Sequence, residues 1–115
     1  METKQSPLFS KTYDLLLWLL AHNDKFPKIE RFRLAKRLED TIFAIYNLFL
    51  DAAYIPDKQR SLRCADVELK RLLFYLRLCH SRKLLSLDQY RFAISQTLEI
   101  GRLLGGWLKA SPLED

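Results

Sequence analysis

Proline stands at only four positions in this chain, 7, 27, 56 and 112, and that placement constrains the fold more than any other feature. Proline lacks an amide proton and clashes with the preceding turn, so helix interiors tolerate it poorly. The four positions therefore mark out three long stretches free to be helical. The last, between Pro56 and Pro112, carries its own break: Ser86-Leu87-Asp88-Gln89 has the form of a capping box. In that motif the Ser86 hydroxyl accepts from the Gln89 amide while the Gln89 side chain reaches back to the Ser86 amide, and Leu85 and Tyr90 stand where a hydrophobic staple closes the same helix start. These signals predict helices over residues of about 10–23, 30–54, 58–82 and 87–110.

Each of the three longer segments carries an apolar stripe at helical spacing. The expected core residues are Leu34, Leu38, Ile42, Ile45, Tyr46 and Phe49 in the second helix and Leu62, Ala65, Leu69, Leu72, Leu76 and Cys79 in the third. In the fourth they are Tyr90, Ile94, Leu98, Gly101, Leu104 and Leu108. Short connections make successive helices antiparallel neighbours, so the expected fold is an all-α, up-down-up-down four-helix bundle. At 115 residues and 49% hydrophobic, the chain fits one domain with one core. No alternating strand pattern, repeat or low-complexity segment interrupts it.

The longest apolar runs, Leu15 to Ala21 and Ile42 to Leu50, fall short of the roughly 20 residues a membrane span needs. The first residues lack the basic start, apolar centre and cleavage site of a signal peptide, which predicts a soluble, cytoplasmic protein. Cys64 and Cys79 lie on one expected helix, separated by roughly 22 Å at about 1.5 Å per residue, too far to bridge. Two buried structural thiols in a reducing compartment are the expectation.

Two features exceed what a monomeric bundle needs. The second helix is apolar nearly all round from Thr41 to Ile55, with Phe43 and Leu50 off its main stripe, which marks a second face for burial. All three glycines, Gly101, Gly105 and Gly106, fall inside the fourth helix, where each costs about 1 kcal/mol relative to alanine. Close approach of another helix would offset that cost, either within the bundle or across a subunit interface.

Catalytic chemistry needs polar groups that converge, and the chain supplies little. His22 falls at the end of the first helix, as a C-terminal cap or a solvated side chain. His80 follows Cys79, but adjacent helical residues point about 100° apart, and two thiols with two imidazoles at these spacings match no zinc pattern. The arginine-to-histidine spacing of small helical ribonucleases is absent, since Tyr75, Phe74 and Leu73 occupy the places before His80. No glycine-rich phosphate loop precedes a helix. The expectation is no catalytic site, no metal and no cofactor.

Charge is organised more tightly. The net +5 is uneven: basic and acidic residues cancel up to residue 57. Residues 58–110 then carry Lys58, Arg60, Arg63, Lys70, Arg71, Arg77, Arg82, Lys83, Arg91, Arg102 and Lys109 against Asp66, Glu68, Asp88 and Glu99. Arg63, Lys70 and Arg77 are seven apart, with Phe74 in the same stripe, and Arg91, Arg102 and Lys109 fall nearly in line on the fourth helix. Two basic ridges imply a polyanionic partner gripped through phosphates without base reading, or an acidic protein.

The stretches Leu72-Leu73-Phe74-Tyr75-Leu76-Arg77-Leu78, Leu87-Asp88-Gln89-Tyr90 and, most specifically, Gly101-Arg102-Leu103-Leu104-Gly105-Gly106-Trp107 resemble the accessory variability determinant (Avd) proteins of diversity-generating retroelements. Phe26-Pro27-Lys28 with Glu30-Arg31-Phe32 is similar to the first connection in the wider bundle family that includes proteins encoded in intervening sequences of ribosomal RNA genes. The resemblance implies a homopentameric assembly with a basic surface that partners a reverse transcriptase and the template RNA during mutagenic complementary DNA synthesis. Arg63, Lys70, Arg71, Arg77, Arg91, Arg102 and Lys109 are then the candidates for contact with RNA, DNA or transcriptase. Phe43, Leu50, Gly101, Gly105 and Trp107 are the candidates for packing or assembly. An intervening-sequence-type bundle of unknown role and a basic scaffold for an acidic protein are the alternatives.

Overall fold

The computed structural model describes residues 5–111; the segment read for a signal peptide, Pro112 and the tail carboxylates Glu114 and Asp115 lie outside them, apart from residues 5–7. The fold is an all-α four-helix bundle. Helix α1 spans Ser6–Asn23, starting earlier than expected because Pro7 sits inside its first turn, where a missing amide proton costs nothing. Helix α2 comprises Lys28–Glu30, a π-helical turn over Arg31–Ala35, and Lys36–Tyr54. Helices α3 and α4 span Lys58–Ser81 and Leu87–Ala110. Each packs on the one before it and α1 closes the bundle against α4, with the α2–α3 contact the most extensive.

The end signals act as their chemistry requires. Asp57 accepts from the Arg60 amide at 3.3 Å at the start of α3. At the start of α4 the capping box is complete: Ser86 Oγ accepts from the Gln89 amide at 3.1 Å, and the Ser86 amide donates to Gln89 Oε1 at 2.9 Å.

The expected stripe of α3 is buried throughout, as are Leu38, Ile42, Ile45 and Phe49 of α2, while Leu34 and Tyr46 are half-buried. The stripe of α4 is corrected in part: Leu104 is buried as expected and Tyr90, Ile94 and Leu108 pack half-buried against the core, but the centre of the buried face lies elsewhere. Its buried residues are Ala93, Thr97, Ile100, Leu104 and Trp107, so the helix is rotated from the expected phase and Leu98 stays 57% exposed. Thr97 is tolerated inside because its hydroxyl donates to the Ala93 carbonyl at 2.7 Å, and a satisfied hydroxyl avoids most of its burial penalty. Turning Thr97 inward also brings Trp107 in, beside Phe9 and Phe49 with ring centroids 6.3 and 6.5 Å away.

The π turn explains the start of α2. In an uninterrupted α-helix the residues three and four before buried Ala35, Phe32 and Arg31, would share its face. The wider turn inserts one residue, so the inward place falls to Glu30 and Phe32 is turned into solvent.

Candidate nucleic-acid interface

All seven candidate cations of α3 and α4 are exposed, but they divide into two electrostatic groups. Lys70 pairs with Asp66 at 3.2 Å, Arg71 with Glu68, and Arg102 with Glu99 at 2.7 Å. The Arg102–Glu99 pair is a fork, with Nε to Oε1 at 2.8 Å as the second bond; this hydrogen bonding and the paired charge hold the Glu99 carboxyl below its ordinary value and the Arg102 guanidinium above it. Exposed pairs of this kind add little stability, but each offsets the charge of its cation. Arg63, Arg77, Arg91 and Lys109 form no ion pair among the described residues and present their full charge to solvent.

The residues singled out for packing or assembly separate in the same way. Trp107 is buried within the subunit. Phe43 and Leu50 remain 46% and 38% exposed on α2. Beside them, α2 and α3 enclose a shallow groove lined by Ala44, Asn47, Leu48, Asp51, Cys64, Val67, Glu68 and Arg71. Cys64 is exposed there, contrary to the expectation of two buried thiols, because it lies on the outer flank of α3. Cys79 is buried, and burial together with the Glu30 charge pushes its thiol up to about 12, which leaves it unreactive.

The glycines meet no other helix of the chain closely. A Cβ at Gly101 would lie 4.0 Å from a Leu69 methyl, ordinary contact, and at Gly105 or Gly106 it would meet nothing within 4 Å. Close approach inside the bundle is therefore not their reason.

The imidazoles have local structural roles. His22 Nδ1 lies 2.8 Å from the Trp18 carbonyl, and its ring stacks on Trp18. His80 Nδ1 lies 3.1 Å from the Leu85 carbonyl, with its ring parallel to Tyr90. Among the described residues no group of three His, Cys, Asp or Glu side chains is placed to hold a metal, and no helix is long and apolar enough to cross a membrane.

A feature that the count of charges by chain half conceals lies at the end formed by the α1–α2 and α3–α4 connections. Glu30 is buried and accepts from Arg33 Nε at 2.9 Å and Arg82 Nε at 3.0 Å. Burial alone would raise its carboxyl; the Arg82 and Arg33 hydrogen bonds and their charges outweigh that and hold it below the ordinary value. The run of cations around it, from Lys25 to Arg37, is legible as a local cluster but vanishes when charge is averaged over residues 1–57.

A sequence profile described as bAvd-like matches residues 8–111, which takes in nearly all of the four helices. No curated protein matches the chain significantly.

Proposed function

Because the chain belongs to the bAvd-like family, we propose that this Avd-type accessory protein binds the reverse transcriptase of a diversity-generating retroelement together with nucleic acid, and contributes no catalytic group itself. The observation that carries the reading is the family match across the whole bundle. The charge supports it: Arg63, Arg77, Arg91 and Lys109 are unpaired, exposed cations suited to phosphates, with Lys70, Arg71 and Arg102 as weaker contributors because each already has a carboxylate. A transcriptase bound to structured RNA presents protein and phosphate surfaces together, so two modest contacts reinforce each other through effective concentration.

Assembly is part of the same proposal. Phe43 and Leu50 offer apolar surface outside the core, and Gly105 with Gly106 offers a flat stretch of α4 that no element of the same subunit occupies. A homo-oligomer, five subunits by resemblance, accounts for both and repeats the cations around a ring.

Co-purification with a retroelement transcriptase, with and without its template RNA, tests the function. Association that weakens when Arg63, Arg77 and Arg91 are all reversed to Glu is the expected result, and complementary DNA synthesis unaffected by this protein would overturn it. On duplex DNA the same triple variant should flatten the slope of log affinity against log salt, by about 0.9 for each phosphate no longer neutralised. Light scattering tests assembly, since a particle of one 13.6 kDa chain would exclude a ring.

A further inference from the structure

The bundle end around Glu30 carries a surface that neither basic ridge includes. Residues 25–37 hold Lys25, Lys28, Arg31, Arg33, Lys36 and Arg37 against a single carboxylate, Glu30. That carboxylate is shared by Arg33 and by Arg82 from the α3–α4 connection, so two cations have one counter-charge. Lys36 has Asp40. Lys25, Lys28, Arg37 and Lys83 have no ion pair among the described residues. In the midst of this charge two large apolar side chains stand in solvent, Phe32 at 71% and Ile29 at 64% exposure.

Phe32 is held outside by construction. The π turn over Arg31–Ala35 removes it from the buried face that a regular helix would give it, and Glu30 takes that place. Arg31 fixes the turn from the other side, donating from Nε to the Phe26 carbonyl at 3.1 Å and from Nη2 to the Asp24 carbonyl at 2.8 Å. Apolar packing alone would favour the opposite arrangement, with the ring inside and the carboxylate in water.

We propose that this end binds single-stranded nucleic acid, with an unstacked base laid on Phe32 and the flanking phosphates held by the unpaired Lys28, Arg37 and Lys83. The proposal rests on the nucleic-acid binding proposed above and adds a location and a preference for single strands. An exposed aromatic face among cations is the combination that captures single strands, because every base has a stacking face once it leaves the duplex. Further exposed cations, Arg63 and Arg77, lie on α3, the helix that leads into Arg82 and Lys83. The bundle is a rod of 48 × 23 × 22 Å. A flexible strand can run along its side and turn over its end, whereas a flat anionic bilayer can meet only one of the two.

The test compares an oligouridine strand with a duplex of matched phosphate count by fluorescence anisotropy, using the full chain and Phe32→Ala, Phe32→Leu and Phe32→Trp variants. Phe32 is exposed, so the variants are expected to keep the wild-type helical content. Single-strand affinity should fall about fivefold or more in Phe32→Ala, as removal of one stacked base requires, and fall comparably in Phe32→Leu. Phe32→Trp should restore it, and duplex affinity should stay unchanged in all three. Single-strand binding insensitive to Phe32 but abolished by reversing Arg63, Arg77 and Arg91 overturns this site and leaves the ridge reading standing. Binding to anionic vesicles that Phe32→Leu preserves and Phe32→Ala removes overturns it in favour of a membrane surface. Failure of the wild-type protein to bind either oligonucleotide at low salt overturns both readings.

Discussion

The two ends of the bundle are tied by different chemistry. At the end of the α1–α2 and α3–α4 connections the ties are charged: Arg33 and Arg82 converge on buried Glu30, and Asn23 donates to the Ala35 carbonyl at 3.2 Å and to Glu39 at 3.0 Å. At the other end they are chiefly neutral and aromatic, with one cation, Lys58, whose Nζ donates to the Ala52 carbonyl at 2.8 Å. Gln59 donates through Nε2 to the Leu108 carbonyl at 3.2 Å and to the Ser111 carbonyl, satisfying the open end of α4, over a cluster of Phe9, Phe49 and Trp107. One end is thus a hydrophobic seal whose ties include no ion pair among the described residues. The other gives up apolar burial for a carboxylate and leaves Phe32 outside, an arrangement that apolar packing alone does not favour.

Breaking the seal should have the largest effect. Trp107→Ala removes a buried ring from between α1, α2 and α4 and is expected to cost about 3–5 kcal/mol, read as a lower urea midpoint at unchanged slope. A cost below about 1 kcal/mol, where a typical point substitution falls, would show that the aromatic cluster does not hold this end.

Glu30→Gln is expected to destabilise less, and in a way that depends on pH. The folded Glu30 carboxyl lies below its ordinary value of 4.5, so its contribution is fully present above that value and is lost as pH falls through the lowered folded value. Thermal melts of wild type and Glu30→Gln should therefore differ near neutral pH and converge below pH 4.5. A difference that persists in acid would mean that Gln acts by altering packing and not by removing charge.

Legibility in the sequence follows from which forces dominate locally. The buried face of α3 can be read residue by residue because its apolar stripe, Leu62 to Cys79, contains nothing else to bury. Helix α4 defeats the same reading because pattern alone counts Leu98 as core and Thr97 as surface, whereas the Thr97 hydroxyl satisfies itself on the Ala93 carbonyl and packing of Trp107 then decides the rotation. The exposure of Phe32 is illegible for a related reason. Its position depends on a π turn, and the bonds from Arg31 and Arg82 that hold that turn have no local spacing to announce them. The ridge cations can be placed on exposed faces from spacing alone, but which of them are neutralised depends on rotamers of Asp66, Glu68 and Glu99.

Gly106 belongs to α4 towards the sealed end and tests whether a local violation there has a partner outside the chain. It is exposed and a Cβ would meet nothing, so Gly106→Ala should stabilise the isolated subunit by about 0.5–1 kcal/mol. Raised melting temperature with the wild-type particle mass by light scattering would exclude Gly106 from assembly. Raised melting temperature with a smaller particle would place it at the subunit contact.

Lys83 poses the same question at the charged end, with the smallest expected effect on stability. It adopts a left-handed backbone with φ 64°, a conformation that disfavours side chains bearing a Cβ and suits glycine. Lys83→Gly relieves that strain but gives the unfolded chain more freedom, and the two nearly cancel, leaving a gain of about 0.5 kcal/mol or less. If Lys83 contacts a phosphate at the Phe32 surface, the same variant should weaken oligouridine binding and lower its salt slope by about 0.7. Equal or higher stability together with a shallower slope would show that a lysine is kept at a glycine position for its charge. An unchanged slope would remove Lys83 from the phosphate contacts while leaving the stacking role of Phe32 to be decided by its own variants.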